Sequence, residues 1–305
     1  MEGGLNITYI VFDGHVDVKR YRYIYFVIIL MIYILIVGFN STIVCLIVIH
    51  KNLHKPMYIF ISALLINSVL YSTVIHPKLL IDFLSAKQLT TFSECIFQTC
   101  IHYGLAASEF LLLSAMAYDR YISICKPLQY PNIMKRSTVT AFLISAWLFP
   151  TCELSVIVVL YFNIKICHFS LKGIFCNTLI YRLPCEKSME LFMFGFFILS
   201  SLILLPVLFI LFTYTRIFII TYRSSKKVQA KAVQTCLPHL LVLINLSTFI
   251  SYDIIFLRLG IDLPKLPNLI LTLQMTINHP LLNPFIYGIK MKEISKHLKH
   301  LFQQH

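Results

Sequence analysis

The sequence predicts an all-α membrane protein built as a bundle of seven spanning helices. Three observations predict it. The chain of 305 residues is 58% hydrophobic, with a mean hydropathy of +0.79. Only 13% of its residues are charged, about half the ~25% usual in soluble domains. Apolar runs long enough to cross hydrocarbon as helices, about 20 residues each, recur seven times.

The runs cover 24–49, 57–84, 96–124, 138–162, 190–222, 228–258 and 267–289. The first follows Met1-Glu-Gly-Gly, which has no basic segment leading into a short apolar stretch. No cleavable signal peptide is expected, so the first helix serves as its own insertion signal. The third run ends abruptly at Asp119-Arg120, a pair too costly for hydrocarbon and therefore expected at a membrane boundary. Pro238 and Pro284 each remove a helix hydrogen bond and are expected to kink the sixth and seventh helices. After the seventh run, Lys290 to Phe302 alternates basic and apolar residues at helical spacing, which suits a short amphipathic helix on a membrane surface. The whole chain, 1–305, reads as one domain: an outer N-terminus over 1–23, the bundle over 24–289 and an inner tail over 290–305. It contains no repeat and no low-complexity segment.

Charge sets the expected orientation. With the N-terminus outside, the inner loops and ends carry fifteen Lys and Arg against Asp119 and Glu293. The outer side carries eleven Lys and Arg against ten acids. This obeys the positive-inside rule, although Lys19, Arg20 and Arg22 flank the first helix on the proposed outside. The basic loops therefore read as topology and as contact with anionic membrane lipid, not as a nucleic-acid surface.

Of nine cysteines, Cys45, Cys100, Cys125, Cys152 and Cys236 fall in or at the ends of helices and read as small apolar residues. Cys95, Cys167, Cys176 and Cys185 lie on the outer side, where four cysteines allow three pairings. Their spacing lacks metal-site character. Asn6-Ile-Thr8 is an exposed glycosylation sequon. Asn40-Ser-Thr42 and Asn245-Leu-Ser247 match the pattern but fall inside spanning helices.

Several strings then occur in a fixed order: Leu53-His-Lys-Pro-Met-Tyr58, Met116-Ala-Tyr-Asp-Arg-Tyr-Ile-Ser-Ile-Cys125, Cys125-Lys-Pro-Leu-Gln-Tyr130, Lys231-Ala-Val-Gln-Thr-Cys-Leu-Pro-His239 and Pro280-Leu-Leu-Asn-Pro-Phe-Ile-Tyr287. Over nearly the whole chain they resemble the olfactory receptor branch of rhodopsin-like G-protein-coupled receptors. The Gln234–His239 and Asn283–Gly288 forms look most like receptors of fish. The resemblance implies a plasma-membrane receptor that binds a small-molecule odorant and activates a heterotrimeric stimulatory G protein, raising cAMP. It implies no cofactor and no metal.

The same resemblance implies disulfides Cys95–Cys176 and Cys167–Cys185. It implies a switch in which Asp119 neutralises Arg120 at rest, with Tyr214, Asn283, Pro284 and Tyr287 supporting the active state. Glu109 is the one acid deep in the third run, and the resemblance groups it with Asn40 and Asn283 at the bundle centre. Ser68 stands where most such receptors carry an aspartate. This departure weakens the case for a sodium ion and favours a hydrogen-bonded carboxyl. The implied ligand positions are His102, Tyr103, Ala106 and Ala107 on the third helix, with Ile250, Ser251, Ile254 and Arg258 on the sixth. His102 reads equally as a satisfied bundle histidine. Arg258 reads as a partner for an anionic ligand group, as a snorkelling cation or as a partner of Asp262.

Other classes find less support. There is no inverted repeat and no ring of charge to suggest a transporter or channel. No HExxH or GxSxG string suggests an intramembrane enzyme. No lysine between Pro267 and Ile289 would hold retinal.

Overall fold

The computed structural model describes residues 9–16, 18–162, 164–186, 188–222, 224–252 and 264–303. Its long helices are α1 (Val18–Ile49), α2 (Pro56–Leu84), α3 (Phe92–Cys125), α5 (Arg136–Phe162), α8 (Lys226–Tyr252) and α9 (Lys265–Lys290). One span is built in three pieces: α6 (Met189–Leu199), a π turn over Ser200–Leu204 and α7 (Leu205–Tyr222). A single turn, α4 (Tyr130–Ile133), precedes α5, and α10 (Lys292–Gln303) follows α9. The seven expected spans are thus present, with their described ends shifted by a few residues; the expected end of the sixth, 258, lies outside the described residues. Six of the spans are long and apolar enough to cross a bilayer. The seventh, α9, is diluted by the polar Thr272, Gln274, Thr276, Asn278, His279 and Asn283, of which Thr272, Thr276, His279 and Asn283 are buried.

The most apolar spans are the least buried. Helices α2 and α3 are the most enclosed of the six, whereas α1, α5 and the α6–α7 span turn most of their apolar surface outward. In lipid that surface needs no cover, because helix association there depends on packing and polar contacts. The backbone of α1 leaves helical geometry at Tyr21 (φ −114°, ψ 17°), beside the basic Arg20 and Arg22. Pro56 opens α2 at a position where its missing N–H costs nothing. A reciprocal cap opens α3: Thr91 Oγ1 accepts from the Glu94 amide at 3.2 Å, and Glu94 Oε2 accepts from the Thr91 amide at 2.9 Å. Pro206 has no N–H for the Leu202 carbonyl, and the chain takes its π turn just before it.

A small sheet covers one end of the bundle. β1 (Tyr9–Phe12) pairs antiparallel with β2 (Leu89–Thr91) and parallel with β3 (Ser170–Leu171). The N-terminal segment therefore clamps the loops before α3 and after α5. Ile10 and Phe12 point inward and pack with Ile96, Tyr161 and Leu171, whereas Tyr9 and Val11 face outward. Gly14 and Gly173 make the crossing possible: a Cβ on Gly14 would lie 2.6 Å from the Gly173 carbonyl carbon. Cys95–Cys176 ties the long loop to α3, and Cys167–Cys185 closes the loop on itself. Asn6 lies outside the described residues.

His15 follows the strand and packs edge-on against Phe83, with ring centroids 5.6 Å apart. Burial lowers its pKa from 6.5 to about 4, so the folded clamp holds it neutral. The neighbouring cation, Lys78, bonds to Asp82 Oδ1 at 2.6 Å and to the Leu89 carbonyl at 2.8 Å. A lowered folded-state pKa means the released segment binds protons more readily than the docked one. Docking is therefore at full strength above about pH 6.5 and weakens as pH falls toward 4. The protection of the Ile10–Phe12 amides against hydrogen exchange, corrected for the pH dependence of exchange itself, should fall over that window in the native chain and not in His15→Phe; an equal fall in both would remove His15 as the cause.

Candidate functional site

Three groups of residues lie along the bundle axis. At its centre Glu109 is fully buried in α3. Asn283 Nδ2 donates to Glu109 Oε1 at 2.9 Å and to Ser68 Oγ at 2.9 Å, joining α9 to α3 and α2. His279 lies four residues before Asn283, one helical turn away, and its Nε2 contacts Glu109 Oε2. Asn40 joins from α1: its Nδ2 donates to the Pro280 carbonyl at 2.9 Å and to the Ile36 carbonyl at 2.7 Å. Pro284 cannot donate to the Pro280 carbonyl, so Asn40 satisfies an acceptor that the proline leaves open. A second link runs beside it. Asn67 Nδ2 donates to the Leu105 carbonyl at 2.9 Å, and Asn67 Oδ1 accepts from Trp147 Nε1 at 3.1 Å, joining α2, α3 and α5.

Toward the disulfide end, a cavity enclosing about 850 Å³, its open mouth included, lies between α3, α5, the long loop and the α6–α7 span. Tyr103, Ala106, Ala107 and Ile250 line it. A narrower polar extension of about 510 Å³ shares Tyr103, Ala106 and Ile250 and adds Tyr71, His102 and His279. The Tyr71 ring lies between the two imidazoles, 4.7 Å from His102 and 5.1 Å from His279. His279 thus touches both the cavity wall and the central carboxylate. Ser251, about 100° further round the helix than Ile250, is exposed and lines neither space. Ile254 and Arg258 lie outside the described residues.

Three walls of this cavity are absent from the third- and sixth-helix set, and α5 supplies one of them with Leu154, Ile157 and Tyr161. The loop supplies Thr178, Ile180 and Tyr181. The fifth span supplies Gly195, Ile198, Leu199 and Leu202, whose spacing of three and four along one face was legible in the sequence. Glu153, an acid in α5, accepts from Ser201 Oγ at 2.9 Å and so pins the π turn beside the cavity. Nothing in the local sequence pairs these two residues.

At the opposite end, Asp119 is fully buried and its carboxylate is shared. Arg120 Nε donates to Oδ2 at 3.0 Å, and the Arg120 Nη2 contacts the same oxygen. Tyr130 of α4 donates to Oδ1 at 2.8 Å. Burial first, and the neighbouring Asp119 charge second, push the Tyr130 phenol above its ordinary pKa, so it remains a donor. Tyr130 sits in one of the sequence strings, but its partner was not evident there. Tyr214 and Tyr287 are buried in the same apolar cluster as Met116 and Cys236. Tyr287 Oη lies 3.3 Å from His239 Nδ1, whereas Tyr214 Oη has no hydrogen-bond partner among the described residues. Arg120 is thus paired with its neighbour Asp119.

A heptahelical membrane protein with an enclosed cavity at one end and a buried acid–base pair at the other has the build of a receptor. The sequence profile of the olfactory receptor family matches residues 29–305. Human olfactory receptor 5AC2 is 31% identical over 307 residues, covering 98% of this chain and 97% of that protein. Human olfactory receptor 10K1 is 32% identical, covering 95% and 93%, and mouse olfactory receptor 4B13 is 29% identical, covering 98% and 97%. The chain belongs to the olfactory receptor family.

Removing the Asn283 amide leaves Glu109 Oε1 and Ser68 Oγ without that donor. Asn283→Ala should cost about 1–3 kcal/mol of folded-state stability. Asn278→Ala, a half-buried neighbour of His279 whose side chain makes no hydrogen bond among the described residues, should stay within about 0.5 kcal/mol. Thermal unfolding of the detergent-solubilised variants checks both; equal losses would deny the cluster a structural role.

Proposed function

We propose that this chain is an odorant receptor that binds a small molecule in the cavity beside α3 and activates a heterotrimeric G protein of the stimulatory type, raising cAMP. The observation that carries the reading is the cavity itself, enclosed by α3, α5, the α6–α7 span and the disulfide-tied loop. Its lining is mostly aliphatic, with hydroxyls from Thr99, Tyr103, Tyr161, Thr178 and Tyr181 and no charged side chain among the described residues. That composition suits a largely apolar odorant carrying one hydrogen-bonding group. The polar extension at His102 and His279 offers that group a partner. Arg258 keeps its proposed role as an anion partner, which an acidic odorant would reveal.

On this reading Asp119, Arg120, Tyr214, Asn283, Pro284 and Tyr287 form the switch. A ligand that prefers one arrangement of α8 and α9 biases the two-state equilibrium by its differential affinity. The N-terminus and the glycosylated Asn6 face outward at the plasma membrane, and the Arg120 end and the tail face the cytoplasm, as the asymmetry of basic residues supports. The chain acts as one domain and not as an enzyme. The leaning toward fish receptors rests on the Gln234–His239 and Asn283–Gly288 strings alone.

The test is cAMP in cells expressing the native chain and variants at matched surface levels, challenged with a panel of alcohols, ketones, amines and acids. Arg120→Ala should abolish every response. Ala107→Phe, which fills the cavity, should raise the half-maximal concentration about tenfold or more without changing surface expression. A response that survives Arg120→Ala contradicts the switch, and one indifferent to Ala107→Phe contradicts the cavity.

A further inference from the structure

A groove unrelated to the cavity runs along the outer surface of α1, α2 and α5 near the Arg120 end. It encloses about 1430 Å³, its open side included. Val48 of α1, Ile59 and Ile66 of α2, and Leu143 and Trp147 of α5 form its walls. Val48 and Ile66 are exposed apolar residues that no other described residue covers. The indole N–H of Trp147 is already committed to Asn67, so the face turned to the groove is apolar.

The groove is apolar along its length and cationic at one end. Arg136 opens α5 and His54 lies just before α2; both line that end, and among the described residues no acid lines the groove. Arg136 is exposed and makes no ion pair with any described residue. Lys55 and Lys135, each one residue before its helix, are exposed beside them and add charge. His54 Nε2 is held by the Val48 carbonyl at 3.0 Å, which leaves the guanidinium as the freer donor.

We propose that this groove binds one anionic phospholipid, its phosphate against Arg136 and an acyl chain along Val48, Ile59, Ile66 and Leu143. A guanidinium matches a phosphate with two parallel donors. The neighbouring lysines favour a headgroup with net negative charge over a zwitterionic one. An elongated apolar trough with charge at only one end fits an amphiphile whose head lies at the bilayer boundary. The proposal rests on the chain's crossing a membrane and not on its ligand or its G protein. It holds whichever leaflet faces the cytoplasm.

The experiment is native mass spectrometry of the full chain released from micelles containing palmitoyl-oleoyl phosphatidylserine, phosphatidylcholine or cholesterol. The native chain should retain one phosphatidylserine in preference to the other two. Arg136→Gln should reduce that adduct about tenfold, the loss of one charge-assisted phosphate contact. Thr140→Trp, an exposed position that fills the groove, should reduce it to a similar degree. Arg216→Gln, an exposed cation on α7, should leave it unchanged. All variants should unfold at the native temperature. Equal retention of phosphatidylcholine, preferential retention of cholesterol, or a phosphatidylserine adduct indifferent to Arg136→Gln and Thr140→Trp would each overturn the proposal.

Discussion

The bundle is organised around one buried carboxylate. An acid at the middle of a membrane span is expensive unless polar partners meet it, and Glu109 finds them on α9. Asn283 and His279 both come from α9, one turn apart, so a single helix supplies both contacts. Ser68 and Asn40 extend the same network to α2 and α1. The prolines of α9 make the arrangement possible and also require it. They open backbone acceptors in the bundle, and the Asn40 amide satisfies the one that Pro284 leaves.

This placement couples regions that are otherwise separate. His279 belongs to the cavity extension on one side and touches Glu109 on the other. Tyr287 continues along α9 to His239 of α8, in the cluster that also buries Tyr214. A ligand that displaces the His102–Tyr71–His279 stack would therefore act on the helix that carries the central network. At the far end, Asp119 holds Arg120 with help from Tyr130 of α4. The loop between α3 and α5 thus helps to hold this pair.

Hydropathy marks six of the seven helices strongly, because lipid rewards long apolar runs whatever their neighbours, and marks α9 only weakly because of its polar positions. Glu109 stands out for the same reason: one acid in such a run has few interpretations. The contacts were less legible. His279 sits at i−4 from Asn283, a spacing that the sequence displays, yet only packing shows that it faces Glu109 and not lipid. The small sheet was hidden because Tyr9-Ile-Val-Phe12 is apolar throughout, so no alternation marks which side turns inward. The break in the fifth span depends on Pro206 and on Glu153 reaching Ser201 from another helix. Ser251 fell on the wrong face because the sixth helix was assigned by resemblance, and one residue is about 100° of rotation.

The central claim is that Glu109 and His279 act as one unit across α3 and α9. The most direct measurement is a double-mutant cycle of Glu109→Gln and His279→Asn, read by thermal unfolding in a lipid nanodisc. The account predicts clear non-additivity, an interaction of about 1 kcal/mol or more, as for residues in direct contact. Losses that add to within about 0.5 kcal/mol would show two independent sites and contradict it.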